Sequence, residues 1–223
     1  RVAYAASFGT KIEESIFREK EFLPWIKRFD YISVREETAK KYLEDRGIKC
    51  EISLDPTILL DKDDYNCICD ERIVMEPYIL MFGWNTNHDL IKSAKKASKY
   101  FQLPIYNIVP PPRGMTKGVK RKLDIGPKQF LSMIKYANFI VTNSFHGTVF
   151  STIYEKPFVS VISEKPDERM KSVLDQLGLE HRLCKVEDID FSIIKESDYK
   201  DVKRKKMVLR EKSLKYIEFA LGD

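Results

Sequence analysis

Short apolar runs alternate with amphipathic stretches along this chain. Val2–Ala6, Tyr31–Val34 and Glu51–Leu54 are brief apolar or β-branched runs closed by polar or turn-forming residues, which predicts buried strands. Between them, Glu21–Phe29 carries Phe22, Trp25, Ile26 and Phe29 at helical spacing, with Pro24 in a first turn. Glu36–Arg46 sets Ala39, Tyr42 and Leu43 on one face and stops at Gly47. Residues 61–76 are charged and weakly periodic, and read as a connector with one short helix. The pattern then restarts. Strands are predicted at Tyr78–Phe82, Pro104–Val109, Phe139–Thr142 and Phe158–Ile162. Helices are predicted at Asn87–Phe101, Pro127–Tyr136, Thr148–Tyr154 and Glu168–Leu177, with Asn87 as a cap and Gly178 as a stop. Pro110-Pro111-Pro112-Arg113-Gly114 opens a polar loop through Asp124, and a long helix covers Tyr199–Leu221.

This order of strands and helices predicts an α/β fold with parallel sheets. Residues 1–60 form part of a first Rossmann-like half, 77–195 a second, and 196–223 a helix that crosses back to the first. The first half shows three strands and opens on a strand with no lead-in. It therefore reads as an incomplete half whose N-terminal portion is not in this chain.

Composition narrows the class. Hydrophobic residues are 43% of 223, too many for a disordered chain, and no apolar run reaches a membrane-spanning length. Lys and Arg number 39 against 34 Asp and Glu. The excess lies between Lys195 and Lys215, where nine basic residues meet four acidic ones. Such a stretch is either a solvated helix face or a contact for an anionic membrane surface; it lacks the aromatic interleaving of a nucleic-acid binder. Cys50, Cys67, Cys69 and Cys184 have neither C-x-x-C spacing nor a neighbouring histidine, so they read as thiols of a reducing compartment and no metal site is expected.

Candidate chemistry collects at predicted strand ends. Thr142-Asn143-Ser144-Phe145-His146-Gly147-Thr148 lies where a strand gives way to a helix, the position where open parallel sheets bind ligands. Backbone N–H groups there favour an anion, and Gly147 permits close approach. Asn143, Ser144 and Thr148 add polar groups, although Asn143 and Ser144 serve equally as caps. His146 is a usable acid or base near neutrality, or a structural imidazole at a helix start; position alone leaves both open. Arg35, just after a strand, can clamp a carboxylate or phosphate, or pair at the surface with Glu36 or Glu37. Ser7-Phe8-Gly9 is a small polar loop after the first strand. Arg169 and Arg182 flank a helix and read as surface charge within reach of an anion, and His88 and His181 read as surface residues. Walker, G-x-G-x-x-G, G-x-S-x-G and H-E-x-x-H motifs are absent, which argues against common ATPases, classical dehydrogenases, α/β hydrolases and zinc proteases.

Taken in order, Ala6-Ser-Phe-Gly9, Ile32-Ser-Val-Arg-Glu36, Asp55-Pro-Thr57, Gly126-Pro-x-x-Phe-Leu131, Thr142-Asn-Ser-Phe-His-Gly-Thr-Val-Phe150 and Lys156-Pro-Phe158 resemble the polysaccharide pyruvyl transferase family. The resemblance runs from residue 1 to about Leu183. It implies a GT-B-like architecture of two Rossmann-like halves facing a cleft. It also implies transfer from phosphoenolpyruvate, a co-substrate rather than a bound cofactor, onto two hydroxyls of a sugar, leaving a cyclic pyruvate ketal and phosphate.

On that resemblance Arg35 and His146 are the catalytic residues, with Arg35 on the donor anion and His146 on the donor or the transferred proton. Ser7, Gly9, Asn143, Ser144, Phe145, Gly147 and Thr148 contribute to binding. Some members carry Arg-Leu-His where this chain has Ser144-Phe145-His146; Lys128, Arg113 or Arg169 then supplies the missing cation. The implied acceptor is a saccharide or lipid-linked saccharide of a cell-surface or exopolysaccharide precursor. The implied place is the cytoplasm, with the Lys-rich helix as a peripheral membrane contact. A GT-B glycosyltransferase using a nucleotide sugar and a non-catalytic sugar-binding module are the alternatives.

Overall fold

The computed structural model describes residues 1–9, 19–83, 87–108, 116–122, 124–162, 167–194 and 199–222. By internal packing these fall into two units. One comprises residues 1–59, 167–179 and 200–223; the other comprises 60–166 and 180–199. The sequence pattern ran the second half unbroken to residue 195, whereas here 167–179 group with the first unit.

The first unit holds a three-stranded parallel sheet in the order β1 (Val2–Ala6), β2 (Tyr31–Val34), β3 (Glu51–Ile52). The crossovers carry α1 (Glu19–Ile26) and α2 (Glu37–Glu44). Ile32, Val34, Ala39, Tyr42, Leu43, Ile48 and Ile52 form its core, with Phe22, Leu23 and Ile26 packed on it. Trp25, expected on the same helix face, is 63% exposed instead; Arg28 lies over its ring at 4.9 Å. Two later helices belong to this unit, α7 (Glu168–Leu177) and α8 (Tyr199–Leu221). On α8, the buried Ser213 accepts the Leu54 N–H at 3.0 Å and Tyr216 donates to the Ala3 carbonyl at 3.2 Å. The boundaries of α7 and α8 match the sequence pattern, and Gly178 ends α7 at φ 73°.

The second unit is a six-stranded, wholly parallel sheet. Its strands in chain order are β4 (Ile79–Phe82), β5 (Ile105–Asn107), β6 (Val119–Arg121), β7 (Phe139–Thr142), β8 (Phe158–Val161) and β9 (Leu183–Cys184). Their spatial order is β6-β5-β4-β7-β8-β9. The chain therefore builds outward from β4 in one direction, then returns to β4 and builds in the other. Ile79, Met81, Phe139, Val141, Val159 and Val161 line the core with Leu90, Ala94 and Ala97 of α4 (His88–Phe101). Asn87 caps α4 as its sequence predicts, accepting the Leu90 N–H at 2.9 Å. A short α3 (Lys62–Asn66) fills the connector, and α5 (Pro127–Lys135) and α6 (Phe145–Ile153) complete the unit.

Three readings of the sequence change here. The expected polar loop through Asp124 contains β6, an edge strand whose register is set by β5. A two-residue β9 follows residue 182. The helix expected from Thr148 begins at Phe145, which places His146 and Gly147 in its first turn. Arg182 also differs: it is fully buried, donating to the Phe158 carbonyl at 3.2 Å beside the rings of Phe158 and Tyr199. The Pro-rich turn with Arg113 lies outside the described residues.

Candidate functional site

Each unit presents candidate residues at the C-terminal ends of its strands. In the second unit, the strand order reverses between β4 and β7. Such a switch point leaves a crevice between loops that run in opposite directions, and doubly wound sheets bind ligands there. The β7 end continues directly into Asn143, Ser144 and α6. Ser144 is the N-cap, accepting the Gly147 N–H at 3.4 Å, while its own N–H goes to Thr142 Oγ1 at 3.0 Å. His146 is exposed on the first turn, with the buried Phe145 ring edge-on to the imidazole at 5.3 Å. The N-terminus of α6 thus carries an imidazole outward where the backbone dipole favours an anion.

Two glycines permit this geometry. A Cβ on Gly147 would overlap Thr142 Oγ1 and lie 3.0 Å from Phe82 Cδ1. The close approach at Gly147 is therefore to the strand beneath it. A Cβ on Gly83, just after β4, would overlap the Asn143 side chain. Gly83 has no motif around it in the sequence; its need shows only once the β4 and β7 ends are side by side. Thr148 is wholly buried, its hydroxyl 2.7 Å from Ser160 Oγ and 3.1 Å from the Ser144 carbonyl, so it fastens α6 to β8. Lys128 is exposed on the first turn of α5.

In the first unit, segments far apart in sequence come into contact. Ser7 Oγ donates to Glu36 Oε1, and the Gly9 N–H donates to Ser7 Oγ at 2.9 Å. Arg35 Nη1 donates to Asp55 Oδ2. Asp55 Oδ1 takes the Thr57 N–H at 3.0 Å and the Thr57 hydroxyl. The carboxylate that holds Arg35 is thus Asp55, not Glu36 or Glu37. Asp55 and Glu36 are both buried.

Arg169 sits on the first turn of α7, forked onto Asp167 at 3.0 and 2.6 Å. Asp167, and then the charges of Glu36 and Asp55, push its guanidinium above the usual arginine range. Burial pushes the Glu36 carboxyl above the usual glutamate range, while the Ser7 hydrogen bond and the charges of Arg35 and Arg169 pull it down. Ser7, Gly9, Arg35 and Arg169 are accordingly brought into one neighbourhood, with two arginines among three carboxylates. Both guanidiniums are paired with carboxylates, so an anion bound here would share or displace those pairs.

The sequence model for polysaccharide pyruvyl transferase matches residues 1–165. The chain belongs to this family. No curated protein matches it. Among solved structures it is similar to UDP-GlcNAc 2-epimerase from Methanocaldococcus jannaschii, with TM-score 0.55 and 14% identity over 100% of this chain and 63% of that one. A structure of the epimerase from that organism in complex with UDP-GlcNAc and UDP gives 0.53 and 14% over 95% and 68%. The epimerase from Rickettsia bellii gives 0.55 and 14% over 97% and 66%. The chain thus spans about two thirds of the length of these structures, and at this identity they show the fold alone: α/β, parallel-sheeted and GT-B-like.

The family's ordered segments acquire a physical meaning in the first unit. Ser7–Gly9, Arg35–Glu36 and Asp55–Thr57, separated by up to 50 residues, are joined there by direct hydrogen bonds. Among the described residues, no group of three His, Cys, Asp or Glu side chains is placed to hold a metal ion. No described helix is long and apolar enough to cross a membrane.

Proposed function

We propose that this chain carries donor-binding and proton-handling residues of an enzyme that transfers the pyruvyl carbons of phosphoenolpyruvate to two hydroxyls of a saccharide. The products are a pyruvate ketal and inorganic phosphate. One observation carries the reading: the family's first three segments meet in a cluster of two arginines beside the half-buried Ser7 and the buried Glu36. A three-carbon enol phosphate bears a carboxylate and a phosphate, and two guanidiniums suit two anionic groups. Arg169, in this cluster, stands with Lys128 and Arg113 as a candidate for the cation that some members carry in the segment of the histidine.

The exposed His146 at the start of α6 suits proton transfer to or from a sugar hydroxyl. The reaction is placed in the cytoplasm with a saccharide or lipid-linked saccharide as acceptor. The basic α8, which also exposes Met207 and Val208, supports contact with an anionic membrane surface; failure to sediment with phosphatidylglycerol vesicles refutes that part.

The test is to incubate the purified protein with phosphoenolpyruvate and methyl galactoside or methyl mannoside. Phosphate release together with a new ketal methyl resonance supports the reading. A thermal shift with a nucleoside diphosphate but none with phosphoenolpyruvate replaces it with nucleotide-sugar transfer. A shift with neither favours a sugar-binding module.

A further inference from the structure

Glu36 is placed unlike any other carboxyl described in the first unit. It occupies the N-cap position of α2, yet its side chain makes no cap hydrogen bond. The side chain turns instead to Ser7 at the end of β1. The residue is 3% exposed, and among the described residues its Oε2 has no hydrogen-bond partner. A buried carboxylate with an unsatisfied oxygen is costly, whereas a buried carboxylic acid is far less so. The charged groups that bear on it are Arg35 after β2 and Arg169 on α7. Glu36 also lines a cavity of about 150 Å³ with Glu37, Glu168, Lys171, Asp175 and Gln176, open to solvent and large enough to admit water. Ser7, by contrast, is only half-buried. A sheltered acid therefore stands behind an accessible hydroxyl.

We propose that Ser7 and Glu36 form a proton relay, with Ser7 Oγ meeting the substrate and Glu36 as the positioning residue that holds the proton behind it. The substrate class is an enol phosphate, so this rests on the pyruvyl-transfer reading above. The C2–C3 π pair takes the proton of Ser7 Oγ, and the methylene becomes a methyl. Glu36 passes its proton to Ser7 Oγ and is left as carboxylate. The first acceptor hydroxyl bonds C2 through oxygen as His146 takes its proton, and the proton passes through solvent water to Glu36. The C2–O bond to phosphate then breaks with its electron pair on phosphate. The second hydroxyl oxygen bonds C2, and its proton leaves with phosphate. One proton is gained at C3 and two are lost from the diol, so the step balances.

The experiment compares wild type, Glu36→Gln, Glu36→Asp and Ser7→Ala with phosphoenolpyruvate and the methyl glycosides, recording kcat, KM and the pH profile. Glu36→Gln is expected to lose about 100-fold or more in kcat, the scale of general acid catalysis, with KM for phosphoenolpyruvate within about threefold. The wild-type fall in kcat as pH rises through the Glu36 titration is expected to vanish in Glu36→Gln and return in Glu36→Asp. Glu44→Gln, on an exposed carboxyl at the far end of α2, should match wild type. Active wild type with near-wild-type Glu36→Gln overturns the relay and leaves pyruvyl transfer standing. Wild type that neither binds nor turns over phosphoenolpyruvate overturns both. If Glu36→Gln shows no melting transition, Ser7→Ala decides: unchanged kcat overturns the relay.

Discussion

Gly147→Ala sets two known effects against each other. Alanine in a helix is favoured over glycine by about 1 kcal/mol, so helix propensity alone predicts a more stable protein. The structure predicts the opposite. The new methyl would overlap Thr142 Oγ1 and lie 3.0 Å from Thr142 Cβ and from Phe82 Cδ1. Thr142 is fully buried, and its Oγ1 accepts the Ser144 N–H at 3.0 Å. Turning that hydroxyl away relieves the overlap but forfeits the hydrogen bond, at about 1 kcal/mol. Leaving it in place strains the β7–α6 junction by about 1–3 kcal/mol, the usual range for overpacking. Set against the propensity gain of about 1 kcal/mol, the strained arrangement leaves a net destabilisation of up to about 2 kcal/mol, or a Tm lower by up to about 8 °C for a chain of this size.

Differential scanning calorimetry measures this, and a double-mutant cycle localises it. In a Thr142→Ala background, where Oγ1 is absent, the cost of Gly147→Ala should shrink by about 1 kcal/mol. Gly147→Ala with a Tm at or above wild type refutes the reasoning, because propensity would then have outweighed the contact.

Arg35→Ala and Asp55→Ala should each cost about 3 kcal/mol of stability, since either leaves a largely buried charge without its counter-ion; equal denaturation midpoints for mutant and wild type would contradict this. His146→Ala, on an exposed side chain, should abolish turnover and leave the melting curve unchanged, and wild-type turnover in that variant would remove the imidazole from the mechanism. The raised Glu36 titration makes a stability prediction of its own. A carboxyl whose folded-state value lies above its ordinary 4.5 stabilises the fold fully below that pH and loses the contribution as pH rises through the folded-state value. Glu36→Gln should therefore melt higher than wild type at neutral pH, with the two curves converging below pH 4.5. A pH-independent difference would show that the carboxyl is not titrating in the fold. Turnover should also survive dialysis against a chelator, and rescue by added divalent metal would count against the proton chemistry proposed.

Much of this fold was readable from the chain, for identifiable reasons. Asn87, Gly178 and the ends of α8 were placed correctly because capping, a left-handed stop and a long amphipathic pattern are local signals. The start of α6 was missed because Gly147 beside β-branched Thr148 argues against a helix; the room that Thr142 demands is a tertiary fact. β6 has the sequence Val-Lys-Arg, which carries no strand signature until β5 pairs with it. Arg182 looked like surface charge because nothing adjacent in sequence reveals the Phe158 carbonyl and rings that enclose it.

The candidate site divided in the same way. Ser7, Arg35 and His146 stand out in the sequence as candidates from their place after predicted strands, and the structure puts Ser7 after β1, Arg35 after β2 and His146 in the turn of helix that follows β7. The Arg35–Asp55 pair and the burial of Glu36 were not, because Asp55 lies 20 residues away and Glu36 looked like an ordinary surface neighbour.

The interleaving of the two units sets an order of events on the ribosome. The first unit needs residues 1–59 and 200–223, with the whole 60–166 stretch made in between. Leu54 finds its partner at Ser213, and Ala3 finds Tyr216, only when translation of this stretch is almost complete. The side of β1 and β2 that meets α8 through Tyr4–Tyr216 and Tyr31–Phe219 must therefore wait, although α1 and α2 can already cover the other side, while the second unit lacks only its short closing segments and can condense much earlier. During that interval the nascent chain exposes an edge-rich parallel sheet to aggregation and to chaperones. A chain halted before α8 is the form of this protein expected to be captured by the cell's holding machinery.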